Sequence, residues 1–489
     1  MAYVFYDFET SGRSARFDQI LQAGFIIYDD KFREINKLNI KSRINSDTVP
    51  SINALRVNRL QMSNLLSEKL SYYEMTLKIK NFLNQYSNSF YIGFNSIYFD
   101  EEFLRQLFWE HFIYPYLTNT NGNCRGDVLN FVTMVHAFHK ENINVKKSEE
   151  GKLTFKLEKL AEANNFDATN SHEAIADVEV TMQLFELLKK KNENLFSAFK
   201  NNSISRNVEE KLIKSDIFTY HNYLFSSHKI YLVKNLIKHP VYNNQYIGFD
   251  MKYNVDELID LNEDELKEIY KNKSFFRKIR LNKQPNILDK TYALKIKPYS
   301  EFSDEEINNK CRNLQNENFL KNLVNILEKE SLDMVDNQSQ EDKMEEETIY
   351  TKNIGYKDSL IMNDFHNYSW EEKWIFAEKF MDNRLKYFAA KHIYRNSPES
   401  LPKKIFSYLH NKISEKLLSL DKQKFMTIPS AMEEADNISL EIEEEEASSN
   451  LQEQLDQYNI YINFLNDYYS EKNPKPIRFD SLLSRNLFG

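Results

Sequence analysis

Cysteine is scarce in this sequence, and long apolar runs are absent from it. The 489 residues include two cysteines, Cys124 and Cys311, too few for a disulfide framework or a cysteine-rich zinc site. No apolar run reaches the length of about 18 residues that a membrane-spanning helix needs. The first predicted strand begins at Tyr3, so we expect no signal peptide before it. These absences together favour a protein of the reducing cytoplasm.

Glycine and proline are also few, at 9 and 10 residues, and positive charge is in deficit. The formal net charge of −9 argues, taken at face value, against a nucleic-acid partner. The charge is uneven, however, because eight acidic residues and no basic one lie between Glu433 and Glu446. The rest of the chain is nearly neutral, so a local basic groove stays possible. A composition of 41% hydrophobic and 28% charged residues is typical of a globular protein.

The stretch from Tyr3 to Gly12, YVFYDFETSG, combines apolar residues with two carboxylates. Side chains two apart on a strand point to the same face, so Asp7 and Glu9 should stand side by side, roughly 6 to 7 Å apart. Two carboxylates that close repel each other unless a cation lies between them. A lone D-x-E is more often an exposed turn, so the hypothesis of a metal site depends on further ligands.

Two later segments supply candidate ligands. FYIGFNSIYFDEEFLRQLF predicts a strand, a short loop and a helix that opens near Asp100. NSHEAIADVEVTMQLFELL predicts a loop and an amphipathic helix that carries Asp177, with His172 five residues earlier. Four carboxylates on different elements suit Mg²⁺ or Mn²⁺. A histidine beside such ions is the usual form of a base that activates water.

The three motifs together resemble those of a known family. D-x-E in a first strand, N-x3-FD at the start of a later helix and H-x4-D in a last helix are similar to the motifs of the DEDDh 3′–5′ exonucleases. Within that family the similarity is closest to the bacterial single-stranded-DNA exonucleases. The segments that carry it are FYDFETSG, GFNSIYFDEEF, FKLEKLAEANN, NSHEAIADV and DNRLKYFAAKHIYRNSPESLP. The resemblance is strong in the first part of the chain, weak in the middle, and recovers after Thr348.

The resemblance implies an α/β fold in three parts. Residues 1–203 are expected to form a ribonuclease H-like DEDDh exonuclease domain. Residues 204–347 would form an SH3-like β-containing middle domain, and the alternating pattern from Phe218 to Tyr253 agrees with strands there. Residues 348–489 would form an α-helical C-terminal domain.

The activity implied is hydrolysis of single-stranded DNA from its 3′ end to 5′-mononucleotides, with a role in DNA repair and recombination. His172 would accept the proton of the attacking water. The resemblance assigns two Mg²⁺ ions, which Mn²⁺ can replace, to the catalytic carboxylates Asp7, Glu9, Asp100 and Asp177. It assigns contacts with the DNA to Glu9, Arg105, Tyr116 and Lys156.

Several of these DNA contacts have a plainer reading. Lys156 occupies a position where the family has an arginine, and a lysine cannot make the bidentate contact that arginine makes. It could also be an ordinary solvated lysine. The aromatic residues from Phe108 to Tyr116 could stack on bases, although core packing is the simpler role for most of them. Thr133 stands where the family has a basic contact, which puts that contact in doubt.

Other charged residues have structural interpretations. Arg125 and Asp127 should begin a helix and serve as an ion pair or an N-cap. Two acidic stretches, Glu328–Glu347 and Glu433–Glu446, are expected to be an exposed linker and a solvated loop. Arg384, Lys391 and Arg395 could line a DNA channel or lie on an exposed helix face.

The resemblance also implies a partner, the acidic, hydrophobic C-terminal tail of single-stranded-DNA-binding protein. His139 aligns with the arginine that the family uses to bind this tail. The neighbouring Lys140 could supply the cation for the tail's carboxylate. We expect a monomer without a membrane association. Two alternatives remain: a DEDDh exoribonuclease acting on short RNA, which would usually be a shorter protein, and a non-catalytic nucleic-acid-binding protein on a nuclease fold.

Overall fold

The computed structural model of the protein describes residues 1–167, 169, 172–272, 274–339, 343–445 and 449–478. Its strands are β1 (Tyr3–Thr10), β2 (Ile20–Tyr28), β3 (Glu34–Lys41), β4 (Phe90–Gly93), β5 (Cys124–Asp127), β6 (Ile217–Leu224), β7 (Ser227–Lys238), β8 (Gln245–Asp250), β9 (Phe276–Arg280) and β10 (Asn286–Leu288). Its α-helices are α1 (Ile52–Val57), α2 (Met62–Ser67), α3 (Tyr72–Leu83), α4 (Asp100–Glu110), α5 (Val128–Phe138), α6 (Leu157–Ala163), α7 (Ala174–Lys191), α8 (Glu193–Asn202), α9 (Ser205–Lys214), α10 (Asp256–Ile259), α11 (Glu263–Lys271), α12 (Asp304–Asn313), α13 (Glu317–Ser339), α14 (Tyr356–Phe365), α15 (Trp370–Ala377), α16 (Asn383–Asn396), α17 (Lys403–Leu417), α18 (Ile428–Glu445) and α19 (Ser449–Ser470).

β1 lies at the centre of the first sheet, whose strand order is β3-β2-β1-β4-β5. β1 to β3 are antiparallel, whereas β4 runs parallel to β1 and β5 runs parallel to β4. Side chains of β1 alternate between two cores. Phe5 packs among residues of α5 and α7, and Phe8 packs among residues of α3 and α4. The strand is therefore buried on both faces, which explains its nearly continuous apolar sequence.

The strand β5 was not predicted. Arg125 and Asp127 were expected to begin a helix, but both lie in β5, and α5 starts at Val128. Asp127 is the N-cap of α5, since its side chain accepts a hydrogen bond from the amide of Leu129 at 3.0 Å. Arg125 forms an ion pair with Glu101 at 3.0 Å. The structural roles predicted for both residues are confirmed.

The second sheet has the order β10-β6-β7-β8-β9 and is antiparallel throughout. The alternating pattern from Phe218 to Tyr253 corresponds to β6, β7 and β8, as predicted. One face of this sheet packs on α11 and α13, where Phe249 meets Leu266 and Phe319.

The described residues after Thr348 are mainly helical, as predicted, and they return to the first sheet's side of the molecule. α17, α18 and α19 form one core with α1 and α2. Tyr458 donates its hydroxyl to the carbonyl of Pro50 at 2.7 Å, and Tyr469 donates to that of Ser46 at 2.9 Å. In the part of the chain that the structure describes, no helix is both long and apolar enough to cross a bilayer.

Both acidic stretches are more ordered than predicted. The run from Glu433 was expected to be a loop, but it lies in α18 as far as Glu445. Glu434 of this run accepts hydrogen bonds from Ser51 Oγ and from the amide of Ile52, at the start of α1. A carboxylate at a helix N-terminus is stabilised by the helix dipole, so this part of the run has a packing role.

The expected linker Glu328–Glu347 is exposed in part, as predicted, for example at Leu332 and Met334, but its described residues do not form an irregular linker. Its first part continues α13 to Ser339. Near its end, Glu346 is 2% exposed, and it lies 2.6 Å from Lys391 Nζ. Burial of a carboxylate requires such a partner, and the cation comes from a distant helix that local composition does not reveal.

Three basic side chains of α16 are held in ion pairs rather than lining a channel. The pairs are Arg384–Asp382 at 2.7 Å, Lys391–Glu346 at 2.6 Å and Arg395–Asp47 at 2.6 Å. The side chains of Lys391 and Arg395 are 7% and 8% exposed. Both interpretations of these residues, channel lining and exposed helix face, are therefore wrong for Lys391 and Arg395, because burial and pairing fix them in the interior.

Candidate active site

β1 places two carboxylates on the face of the sheet that α7 covers. Tyr3 and Phe5 of this strand face α5 and α7, and the alternation of a strand carries Asp7 and Glu9 to the same side. Asp7 pairs with Gly24 of β2, and Glu9 pairs with Gln22. The side-by-side arrangement of Asp7 and Glu9 follows from the strand alone.

α7 brings the third carboxylate. Asp177 lies in the first turn of this helix. The side chains of Asp7, Glu9 and Asp177 offer carboxylate oxygens that all lie within 4.8 Å of one another. This three-carboxylate cluster is the one group of potential metal ligands found among the residues that the structure describes.

A glycine on the neighbouring strand allows α7 to come this close. A Cβ atom at Gly24 would lie 2.9 to 3.0 Å from backbone atoms of Ala174 and Ile175, at the start of α7. Backbone atoms of a helix cannot move aside individually, so any side chain at this position would displace the helix. Sequence reasoning missed this residue, although a glycine inside a strand is a known sign of close backbone approach.

We predict that Gly24→Ala lowers the rate of the reaction at the cluster by about 10- to 100-fold, because displacement of α7 moves Asp177. Activity and thermal stability should be measured together. The matched control is Gly355→Ala, since a Cβ atom at Gly355 would have no atom within 4 Å. Unchanged activity in Gly24→Ala would show that the position of α7 tolerates the added methyl group.

The fourth predicted ligand, Asp100, is the first residue of α4 and lies beside β1. Its Oδ1 accepts a hydrogen bond from the amide of Phe8 at 3.1 Å. The structure does not place Asp100 within the three-carboxylate cluster. Its charge nevertheless contributes to raising the pKa of Asp7 and of Glu9.

The pKa values of all four carboxyl groups are raised. Burial is the largest cause in each case, and neighbouring carboxylates add to it for Asp7 and Glu9. The pKa of Glu9 rises to about 8 and that of Asp177 to about 6. The repulsion among charged oxygens is the condition that a divalent cation relieves, and an all-oxygen donor set fits Mg²⁺ or Mn²⁺. The cluster therefore fits a divalent metal site.

His172 lies just before α7 in a left-handed backbone conformation, with a φ of 68°. Its Nε2 is 3.6 Å from Oε2 of Glu158 on α6. Its backbone amide hydrogen-bonds Asp177 and helps to hold the pKa of that carboxyl down against burial. The imidazole is 34% exposed, so water and substrate can reach it. Its place beside the cluster is compatible with the role of a base, which stays a prediction.

The predicted DNA contacts differ in accessibility. Lys156 is exposed at the N-cap of α6. The Arg105 side chain is 7% exposed and lies 3.0 Å from Glu101, and its guanidinium stands 5.1 Å from the ring centre of Tyr116. Tyr116 in turn packs edge-on against Tyr114, which is 59% exposed. DNA binding by Arg105 and Tyr116 remains a prediction. Because the Arg105 side chain is buried, it would act on the DNA mainly by holding the Tyr116 ring.

The other aromatic residues of this stretch are core residues. Phe108, Trp109 and Phe112 are at most 4% exposed, which confirms the packing interpretation for them. Thr133 is also buried, so it presents nothing to a DNA strand.

Sequence reasoning missed a junction at Glu102, two residues after Asp100. Glu102 lies 2.8 Å from Arg16 and 3.3 Å from Lys283, and it accepts a hydrogen bond from Tyr350 at 2.8 Å. These partners come from the loop after β1, from the second sheet's part of the chain, and from the segment before α14. No local pattern could have indicated this, because the partners are far apart in sequence.

Comparisons with known proteins identify relatives of part of the chain. Residues 4–185 match the protein family described as Exonuclease. The exodeoxyribonuclease I of Haemophilus influenzae is 30% identical over 273 residues, which is 54% of this chain and 57% of that protein. The one of Escherichia coli K12 is 25% identical over 275 residues, 54% of this chain and 57% of that protein. The chain thus spans somewhat more than half the length of the curated relatives it matches.

Solved structures cover more of the chain. Exonuclease I from Methylocaldum szegediense superimposes with a TM-score of 0.81 at 20% identity, covering 95% of this chain and 99% of that one. Escherichia coli exonuclease I in complex with a dA16 oligonucleotide gives a TM-score of 0.79 at 18% identity with the same coverage. The predicted fold class is confirmed by these superpositions, and the match to the Exonuclease family extends over residues 4–185.

Proposed function

We propose that this chain, whose residues 4–185 form an exonuclease-family domain, is a 3′–5′ exodeoxyribonuclease of the exonuclease I type. It would degrade single-stranded DNA to 5′-mononucleotides in DNA repair and recombination. The observation that carries the proposal is the cluster of Asp7, Glu9 and Asp177 with oxygens within 4.8 Å, next to a partly exposed His172. The curated relatives bear the name of this activity.

The proposed chemistry divides between a metal and the protein's own groups. Asp7, Glu9, Asp177 and the adjacent Asp100 would hold two Mg²⁺ ions, which when bound activate water and stabilise the leaving oxygen. His172 accepts the proton of the attacking water. The carboxylate of Glu158, 3.6 Å from Nε2, stabilises the imidazolium that forms. The raised pKa of Glu9, about 8, describes the cluster without a cation, and a bound cation would lower it.

The three proposed domains, 1–203, 204–347 and 348–489, would enclose the DNA strand. Support comes from the Glu102 junction, where residues of all three meet. The guanidinium of Arg16 lies over Tyr350 there, 5.1 Å from the ring centre. The ammonium group of Lys283 lies 4.7 Å from the ring centre of Tyr98. Cations interleaved with aromatic rings suit a single strand. We propose that duplex DNA does not fit this passage.

An oligonucleotide assay tests the proposal. Single-stranded DNA, RNA and blunt duplex DNA of one sequence should be offered with Mg²⁺, with Mn²⁺ and with a chelator. The proposal expects rapid metal-dependent loss of 5′-mononucleotides from single-stranded DNA alone. A 3′-phosphate should block the reaction, and a 5′ block should not. Preference for RNA would favour the exoribonuclease alternative, and binding without hydrolysis would favour the non-catalytic one.

The setting of the enzyme is also part of the proposal. We propose that the chain acts as a monomer in the cytoplasm, and the free thiols of Cys124 and Cys311 suit that reducing compartment.

We further propose that the chain binds the acidic C-terminal tail of single-stranded-DNA-binding protein. An open pocket of about 590 Å³ lies between α8 and the second sheet, and His139 lines it. Lys211 and Lys295 line the same pocket, together with the apolar surfaces of Leu288 and Tyr292. A pocket with apolar walls and cations suits a hydrophobic terminal residue and its carboxylate. Lys140, the cation suggested by the sequence, is exposed beside His139.

A labelled tail peptide should bind with weak, salt-sensitive affinity, because exposed charges supply much of the attraction. Titrations at low and moderate salt should show weaker binding for Lys140→Glu. The control is Lys403→Glu, an equal charge change on α17, at an exposed position. If the peptide fails to saturate the protein at low salt, or if Lys140→Glu binds as tightly as wild type, Lys140 is not the cation.

A further inference from the structure

Phe225, in the turn between β6 and β7, is unusual both in its backbone conformation and in its exposure. β6 ends at Leu224 and β7 begins at Ser227, which pair with each other, so the turn consists of Phe225 and Ser226. Their φ values are 52° and 55°, the left-handed pair of a type I′ turn, in which Asn-Gly is the favoured sequence. A bulky residue such as phenylalanine is strained in this conformation. Phe225 is also 95% exposed, so its ring gains nothing from packing.

The pair of residues next to the turn, Tyr223 and His228, is held in place by contacts with other elements, so the tip of the hairpin has a defined position. The ring of Tyr223 lies 4.7 Å from that of Phe155, and its hydroxyl donates to the carbonyl of Leu153 at 3.2 Å. His228 Nε2 lies 2.9 Å from Nδ1 of His136 on α5. The hairpin is thus bound to the exonuclease-family domain by rings and hydrogen bonds, with only its tip left in solvent.

The hairpin stands on the segment that leads to the candidate active site. Phe155, which Tyr223 contacts, immediately precedes the exposed Lys156. Glu158 follows two residues later and lies 3.6 Å from His172. Phe225 is two residues beyond Tyr223, so the Cα atoms of the two residues are at most about 7 Å apart. The exposed ring of Phe225 and the exposed cation of Lys156 are therefore carried by two segments in mutual contact, and the second of these segments leads to Glu158 beside His172.

We propose that Phe225 stacks on a base of the single-stranded DNA, on the 5′ side of the scissile phosphate, while Lys156 contacts the DNA backbone. This inference rests on the proposed function. Single-strand sites combine cations along the backbone with aromatic rings that stack on bases, and any base offers a π-face. One ring at a hairpin tip cannot supply the roughly 1,000 Å² that a specific protein interface needs, so a base is the occupant that fits.

The strain at Phe225 makes a sharp test possible. Phe225→Gly removes the ring and relieves the left-handed backbone, so thermal stability should stay equal or rise. Affinity for a labelled oligothymidylate of about 15 nucleotides, measured with a chelator to prevent cleavage, should fall about fivefold or more. Phe225→Trp should restore it. The control is Tyr408→Ala on α17, which removes another ring of 64% exposure and should leave affinity unchanged.

A small substrate separates this inference from the proposed function. Hydrolysis of the p-nitrophenyl ester of thymidine 5′-phosphate, which extends no strand toward the hairpin, should be equal in wild type and Phe225→Gly. Wild-type affinity of Phe225→Gly for the oligonucleotide would overturn the stacking contact, as would an equal loss in Tyr408→Ala. Phe225-dependent binding without hydrolysis of any substrate by the wild type would support the contact and overturn the proposed function.

Discussion

Replacement of Asp7 by asparagine is expected to lower the rate of hydrolysis of single-stranded DNA by about 10²- to 10³-fold or more, with the fold intact. The reason is the position of Asp7 in the three-carboxylate cluster, where its oxygens lie within 4.8 Å of those of Glu9 and Asp177. An amide keeps the shape of the side chain but removes the negative charge that would hold a divalent cation. Single-turnover rates at saturating Mg²⁺ measure the effect.

Thermal unfolding distinguishes loss of the metal site from loss of the fold. In the absence of metal, Asp7→Asn should melt no lower than wild type, since it replaces a carboxyl group whose charged form is disfavoured by burial and by neighbouring carboxylates, as its raised pKa shows. Added Mg²⁺ should raise the melting temperature of wild type more than that of Asp7→Asn, because a ligand stabilises only a fold that binds it. The control is Asp167→Asn, an exposed aspartate ahead of α7. More than about a tenth of the wild-type rate in Asp7→Asn would contradict the metal-site assignment.

The elements that carry the candidate site could be predicted from the sequence because their signals are local. The apolar run around Asp7 indicates a buried strand, and helical spacing after Asp100 and Asp177 indicates α4 and α7. β5 was missed because Cys124–Asp127, CRGD, lacks the apolar run that indicated the equally short β4. The acidic run after Glu433 was read as a loop since composition alone does not show that Glu434 caps α1.

The close approach of the site's parts could not be predicted, because it depends on pairs that are distant in sequence. Gly24 makes room for Ala174, and the two residues are related only through the packing of β2 on α7. Arg395 is paired with Asp47, 348 positions away, which turned an apparent channel residue into a structural one. The motifs predicted four carboxylate ligands, of which the structure brings three together, and they could not predict what permits these three to meet.

Replacement of His172 is expected to lower the rate by about 10²- to 10⁴-fold, the contribution typical of a general base. Alanine alone would leave the cause open, because His172 has a φ of 68° and its backbone amide hydrogen-bonds Asp177. An alanine at a positive φ is strained, and relaxation of the loop could move Asp177. His172→Asn is the sharper variant, since asparagine tolerates this conformation and cannot act as a base near neutral pH.

Comparison of the two variants identifies the role of His172. If the imidazole is the base, alanine and asparagine should lose rate equally, with affinity for single-stranded DNA nearly unchanged. If the residue mainly holds the loop, asparagine should keep most of the wild-type rate. His139, whose side chain is 41% exposed, supplies the control, since His139→Asn should leave hydrolysis unaffected. Weakened binding with a normal rate at saturation would make His172 a substrate contact. The base would then have to be another group near the cluster, and Glu158, 3.6 Å from His172 Nε2, is one candidate.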